Sequence, residues 1–109
     1  MKLGWKLYVC DDEGNKFFGK GPVRLLEKID EHKSINKAAA DMYLSYHKAL
    51  KMIKDAEEGF GLVLVERKTG GRSGGGSFLT EDARKVIQKY KALEKEFESF
   101  SKNKTEEYL

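Results

Sequence analysis

The sequence predicts an α+β fold that is mostly helical, with an N-terminal β-hairpin, a second two-stranded hairpin before the end and a long C-terminal helix. Three observations carry that prediction. Apolar residues recur at helical spacing in three separate stretches, and strand-sized apolar runs (Leu7-Tyr8-Val9-Cys10 and Leu62-Val63-Leu64-Val65) lie near turn residues. In the last third of the chain, apolar residues repeat with a period of about 3.5 residues.

Trp5–Val9 is rich in aromatic and β-branched residues, Asp11-Asp12-Glu13-Gly14-Asn15 has turn chemistry, and Lys16-Phe17-Phe18 returns as a second strand. Gly21-Pro22 then opens a helix with proline at its first position. Val23, Leu26 and Ile29, with Leu25 alongside, form its buried stripe, and it ends near His32-Lys33. Ser34 caps a short helix, Ile35–Met42, whose Ala38-Ala39-Ala40 run lets another backbone come close. Ser45 caps the next helix, which runs to about Glu58 with Gly59 and Gly61 as stop signals. At about 100° per residue, Tyr46, Ala49, Leu50, Ile53 and Ala56 fall on one side of it. His47, Lys48, Lys51 and Lys54 fall on or beside the other, so one face suits a core and the other a polyanion.

Leu62–Arg67 reads as a strand, Thr69–Gly76 as a flexible glycine-rich tip and Ser77–Leu79 as the returning strand. Thr80 caps the final helix, and Glu81 and Asp82 stand in its first turn, where the helix dipole favours negative charge. Leu79, Ala83, Val86, Tyr90, Leu93, Phe97 and Phe100 follow in steps of 4, 3, 4, 3, 4 and 3. That spacing makes a seam for a partner helix, and Val86, Tyr90, Leu93, Phe97 and Phe100 are its expected dimerisation residues. The expected organisation is one domain over 1–100, with the dimerisation helix at 80–100, and a polar tail over 101–109 that frays.

A chain of 109 residues supports one self-standing core. Charged residues make up 36% of it, and no apolar run approaches the ~18 residues of a membrane span, so no membrane association is expected. The first residues lack the apolar stretch of a signal peptide, and the single Cys10 excludes an internal disulfide. Both point to a cytoplasmic, nucleoid-associated protein. The net charge of +3 discriminates little, but its placement does: Arg67, Lys68 and Arg72 stand in a stretch with no acid as far as Gly76.

Two short helices joined by a tight turn, the second basic on its outer face, match the width of a DNA major groove. A cationic glycine-rich hairpin just after them can follow the backbone into the neighbouring groove. That order of elements is a winged helix-turn-helix, with the second hairpin as the wing.

The stretch from Pro22 to Leu93 resembles the DNA-binding domain of the molybdate-dependent transcriptional regulators, the ModE family of the LysR-like winged helix group. The resemblance rests on Val23-Arg24-Leu25-Leu26-Glu27-Lys28-Ile29-Asp30, Ser34-Ile35-Asn36-Lys37-Ala38-Ala39 and Ser45-Tyr46-His47-Lys48-Ala49. Most specific is the run from Leu64 to Thr80, with Gly70-Gly71-Arg72-Ser73-Gly74-Gly75-Gly76 at its centre. The resemblance implies a homodimeric transcriptional regulator of double-stranded DNA. It places Ser45, Tyr46, His47, Lys48 and Lys51 in the major groove, with Lys37 and Arg72 on phosphates. Lys54 on the same helix and Lys68, Thr69 and Ser73 on the wing complete the expected DNA-binding set. Full-length regulators of the family continue into an oxyanion-binding module. None follows Leu109 here, so molybdate sensing is not expected to carry over, and the expected signal input is either a separate effector-sensing protein or none.

Other chemistries fit less well. Gly14-Asn15-Lys16-Phe17-Phe18-Gly19-Lys20-Gly21 nearly spells a phosphate-binding loop, but Gly21 stands where a magnesium-holding Ser or Thr belongs. His32, His47 and Cys10 cannot make a four-ligand zinc set. No nucleophile, base and orienting group stand in pattern, so neither an enzyme nor a cofactor is expected. The alternative class is a winged helix adaptor that binds protein. Single-stranded nucleic acid fits less well again, since the aromatics fall mainly at core or seam positions.

Overall fold

The computed structural model describes residues 1–70 and 75–109. Its elements are β1 (Tyr8–Cys10), β2 (Lys16–Gly19), α1 (Lys20–His32), α2 (Ile35–Asp41), α3 (Tyr46–Phe60), β3 (Val65–Lys68), β4 (Gly76–Leu79) and α4 (Glu81–Tyr108). β1 pairs antiparallel with β2, and β3 with β4. This is the α+β, mostly helical winged helix-turn-helix that the sequence predicts.

Several boundaries differ from expectation, each for a local reason. β1 begins at Tyr8 rather than Trp5, and β3 at Val65 rather than Leu62. α1 starts at Lys20, ahead of Pro22, with Gly19 as a cap that offers no side-chain bond. Proline at the third helical position loses nothing, because the first N–H groups of a helix have no helical acceptor. α3 passes through Gly59 and stops at Gly61, which takes the left-handed conformation with φ 68°. α4 continues through the expected tail to Tyr108. There the Thr105 hydroxyl donates to the Ser101 carbonyl at 2.8 Å and Lys104 pairs with Glu107 at 3.0 Å.

The core has two lobes, and α1 serves both. Val23 and Leu26 face Phe18, Ala56, Leu64, Ala83, Ile87 and Tyr90. Leu25 and Ile29 face Ile35, Ala38, Ala39, Ala49 and Ile53. The second lobe fastens α2 and α3 to the body through alanines, whose small side chains bring the helices close. The first lobe roots α4, whose 28 residues contribute to the chain's 60 Å long dimension against 29 and 25 Å across.

Charge pairs fasten the same helices from outside. Arg84 of α4 makes a two-pronged contact with Asp30 of α1, at 2.9 and 3.1 Å, and Lys91 reaches Glu27 at 2.6 Å. His32 bonds Asp41 at 2.5 Å, tying α1 to α2 and holding the Asp41 carboxyl below its ordinary range. Hydrogen bonds from Arg84 and Lys33 draw Asp30 down to about 2.

A carboxyl whose folded pKa is depressed stabilises the fold fully above its ordinary value of 3.8, and that contribution is lost as pH falls towards 2. Because the Asp30 side chain is a third exposed, solvent screening holds its worth to on the order of 1 kcal/mol. The expected result is that Asp30→Asn unfolds at lower urea concentration at pH 6, and that the gap to the parent closes by pH 2. An equal gap at both pH values would show that the pair contributes nothing through its charge.

Candidate nucleic-acid interface

The two helices of the motif begin on serines whose hydroxyls do the same job. Ser34 Oγ accepts the Lys37 N–H at 3.2 Å, and Ser45 Oγ accepts the Lys48 N–H at 3.1 Å. Both replace an intrahelical bond that the first turn lacks. The turn between them is closed by the Tyr43 N–H on the Ala40 carbonyl at 3.1 Å and the Leu44 N–H on the Ala39 carbonyl at 2.9 Å. Tyr43 sits there with φ 55°, and 98% of it is exposed.

On α3 the inward face is Ala49, Ile53 and Ala56, all buried, with Leu50 half-buried. His47, Lys48, Lys51 and Lys54 are exposed, and their spacing of three and four residues makes one stripe. Lys51 is paired with Asp55 at 2.9 Å, which partly neutralises it. His47, Lys48 and Lys54 have no ion-pair partner among the described residues. Tyr46, which the helical wheel groups with the core side, is exposed at the rim. Ser45 stands at the tip of the stripe with its hydroxyl engaged as a cap.

The acids near this stripe are less adverse than their sequence positions suggest. Glu57 turns away to accept the Leu64 and Val65 N–H groups at 2.8 and 3.3 Å, binding the end of α3 to the root of the wing. The wing is held from its other strand as well: the Ser77 N–H donates to the Lys33 carbonyl at 3.0 Å. The wing is therefore hydrogen-bonded to α3 through β3 and to the end of α1 through β4.

Lys37 is exposed in the first turn of α2, and Thr69 is exposed beyond β3. Lys68, at the end of β3, holds its ammonium 5.2 Å from the centre of the Phe78 ring, a cation–π contact that leaves the charge at the surface. Arg72 and Ser73 lie outside the described residues. Arg67, absent from the expected set, shares a 350 Å³ cleft with Lys54, Glu57 and Leu50 between α3 and the wing. Its place in an acid-free run was the signal for it. Among the described residues no three His, Cys, Asp or Glu side chains gather to hold a metal ion. No helix among them is long and apolar enough to cross a membrane.

The expected dimer seam divides. Tyr90 is 4% exposed, packs edge-on against Phe18 at 5.9 Å and donates its hydroxyl to the Leu7 carbonyl at 2.9 Å. Val86 packs against the same lobe of the core. Tyr90 is thus taken up by its own domain, contrary to its assignment to a partner, while Val86 is only partly covered. Leu93, Phe97 and Phe100 remain 44, 46 and 61% exposed, with Trp5 of the N-terminal arm 5.9 Å from Phe97.

Residues 22–84 match the family described as bacterial regulatory helix-turn-helix protein, lysR family. Over 77 residues the chain is 43% identical to the molybdenum transport protein ModE of Azotobacter vinelandii, covering 71% of this chain and 28% of that protein. It is 40% identical over 73 residues to the transcriptional regulator ModE of Haemophilus influenzae, covering 67% and 29%. Against the DNA-binding transcriptional dual regulator ModE of Escherichia coli K12 it is 38% identical over 71 residues, 65% and 27%. The matched segment is thus under a third of each relative's length. Among solved structures, the BenM_DBD/catB site 1 DNA complex superposes with a TM-score of 0.55 at 21% identity, covering 79% of this chain and 90% of that one. That likeness is one of fold.

Proposed function

The chain belongs to the lysR family of bacterial regulatory helix-turn-helix proteins, and from that premise we propose that it is a ModE-type transcriptional regulator that binds double-stranded DNA as a homodimer. The observation that supports this best is the stripe of His47, Lys48, Lys51 and Lys54, exposed on a helix whose opposite face is locked into the core. A major groove admits one such helix, and its walls are lined with phosphates. In this reading His47, Lys48 and Lys51 meet base edges, while Lys37, Lys68 and Arg72 meet phosphates. Ser45, Tyr46, Lys54, Thr69 and Ser73 flank those contacts.

Leu93, Phe97 and Phe100 support the dimer, because apolar side chains in a row on one long helix are a surface that a second copy covers well. A two-fold dimer reads a pseudo-palindromic site, with half-sites about one helical turn or a small multiple apart. The proposed place of action is the cytoplasm, on the nucleoid.

The test is selection of bound duplexes from a random pool, followed by a salt titration of the winner. Three phosphate contacts per subunit give a slope of log K against log salt of about −5. Lys68→Ala removes one contact per subunit and is expected to flatten that slope by about 2 while weakening all sequences alike. Lys48→Ala is expected to change which sequences are recovered. Purified protein that retains no duplex at low salt would overturn the proposal.

A further inference from the structure

Two residues other than glycine hold a left-handed backbone among the described residues, Lys33 at φ 55° and Tyr43 at φ 55°. A residue with a β-carbon avoids that region, because its β-carbon crowds the following carbonyl. At Lys33 the side chain is used inside the domain: its ammonium bonds Asp30 at 3.0 Å, and its carbonyl receives the wing's Ser77 N–H. At Tyr43 nothing of the kind is present. Among the described residues the one hydrogen bond at this position is the backbone N–H on Ala40, which glycine would make equally well. The side chain is 98% exposed, and its ring takes part in no aromatic or cation–π pair among the described residues. A strained backbone and a bare aromatic ring therefore coincide, with no compensation from the domain itself.

The position of this residue identifies what would compensate. Tyr43 precedes the N-cap of α3, Ser45, by two residues. A recognition helix enters a major groove by its N-terminal end, so the turn before it comes to rest at the groove's lip. The duplex presents phosphate oxygens there and no unstacked base. A phenol is a neutral donor well suited to a phosphate oxygen, and tyrosine is among the side chains that make such bonds. We infer that Tyr43 is a DNA-backbone contact, and that this turn carries a strained tyrosine because the partner of its hydroxyl is a phosphodiester group of the duplex. The inference rests on α3 being the recognition helix.

Two variants and a control separate the possibilities, using the full chain, a duplex recovered from the random pool and an unrelated duplex of equal length. Tyr43→Gly is expected to raise Tm by a few degrees, since the strain is relieved, while weakening both duplexes by about 10-fold. Tyr43→Phe is expected to leave Tm unchanged and to weaken both duplexes similarly. Its slope of log K against log salt should match the parent's, because a neutral donor displaces no counterion. Were Tyr43→Phe to bind both duplexes as tightly as the parent while Lys48→Ala had lost the selected one, the contact would be refuted and the DNA reading left standing. A Tm for Tyr43→Gly at or below the parent's would refute the strain. A random pool from which the parent recovered no duplex would remove the functional reading, and this inference with it.

Discussion

Phe18→Ala is expected to lower the free energy of unfolding by about 3–5 kcal/mol, read as a fall in the urea midpoint with little change in slope. Phe18 is 1% exposed and stands where three elements meet. Its ring lies 5.1 Å from Phe60 of α3 and 5.9 Å from Tyr90 of α4, in both cases nearly edge to face. Truncation removes the largest apolar surface at the root of the long helix and takes both aromatic pairs with it. Against the ~5–15 kcal/mol that holds a domain of ordinary stability together, that loss is a large fraction. A cost under about 1 kcal/mol would mean that the hairpin is not packed onto α3 and α4 as described.

Gly59→Ala is expected to destabilise by about 1–3 kcal/mol, the reverse of what helix propensity predicts. Within a helix, alanine in place of glycine ordinarily gains about 0.5–1 kcal/mol. Here a β-carbon at position 59 would lie 2.1 Å from Cδ1 and 2.3 Å from Cγ of Phe17. Because Cγ is involved, flipping the ring about χ2 does not clear the overlap, and either Phe17 must leave its χ1 rotamer or the hairpin must shift. Phe17 is also held edge-on against Phe60 at 5.0 Å. The decisive measurement is the same substitution in a Phe17→Ala background, where it should become stabilising by about 0.5–1 kcal/mol. Equal destabilisation in both backgrounds would show that the ring is not the obstacle.

The elements most legible in the sequence are those whose signals are local. Ser34, Ser45 and Thr80 each cap a helix with a side-chain oxygen that accepts the N–H three residues on. Gly61 ends α3 in the left-handed conformation that glycine adopts freely. The start of α1 was illegible for the converse reason, since Gly19 caps it without a side chain. α3 continues through Gly59 because the missing side chain makes room for Phe17, a contact 42 residues away in sequence.

The candidate interface divides in the same way. Helical periodicity identifies the basic stripe of α3 and its buried face from residue types alone. Periodicity cannot say which molecule covers an apolar seam. Tyr90 is covered by Phe18 and by a carbonyl 83 residues distant, so it left the dimer set while Leu93, Phe97 and Phe100 stayed exposed. The inward turn of Glu57 and the Lys51–Asp55 pair were equally out of reach, being matters of rotamer and tertiary approach. Tyr43 gave no signal, because tyrosine is not a residue that announces a left-handed turn.

Thr80 is a corner shared by two structures. Its hydroxyl caps α4 through the Ala83 N–H at 3.0 Å and donates to the Val63 carbonyl at 2.7 Å, while its own N–H bonds the Leu64 carbonyl at 3.0 Å. Insertions on either side of the wing would therefore have unequal consequences. A residue added between Lys68 and Gly76 falls beyond the last rung of the β3–β4 ladder and leaves its register unchanged. A residue added between Gly76 and Thr80 must either bulge β4 or rotate α4 by about 100°, swinging Ala83, Ile87 and Tyr90 out of the core together.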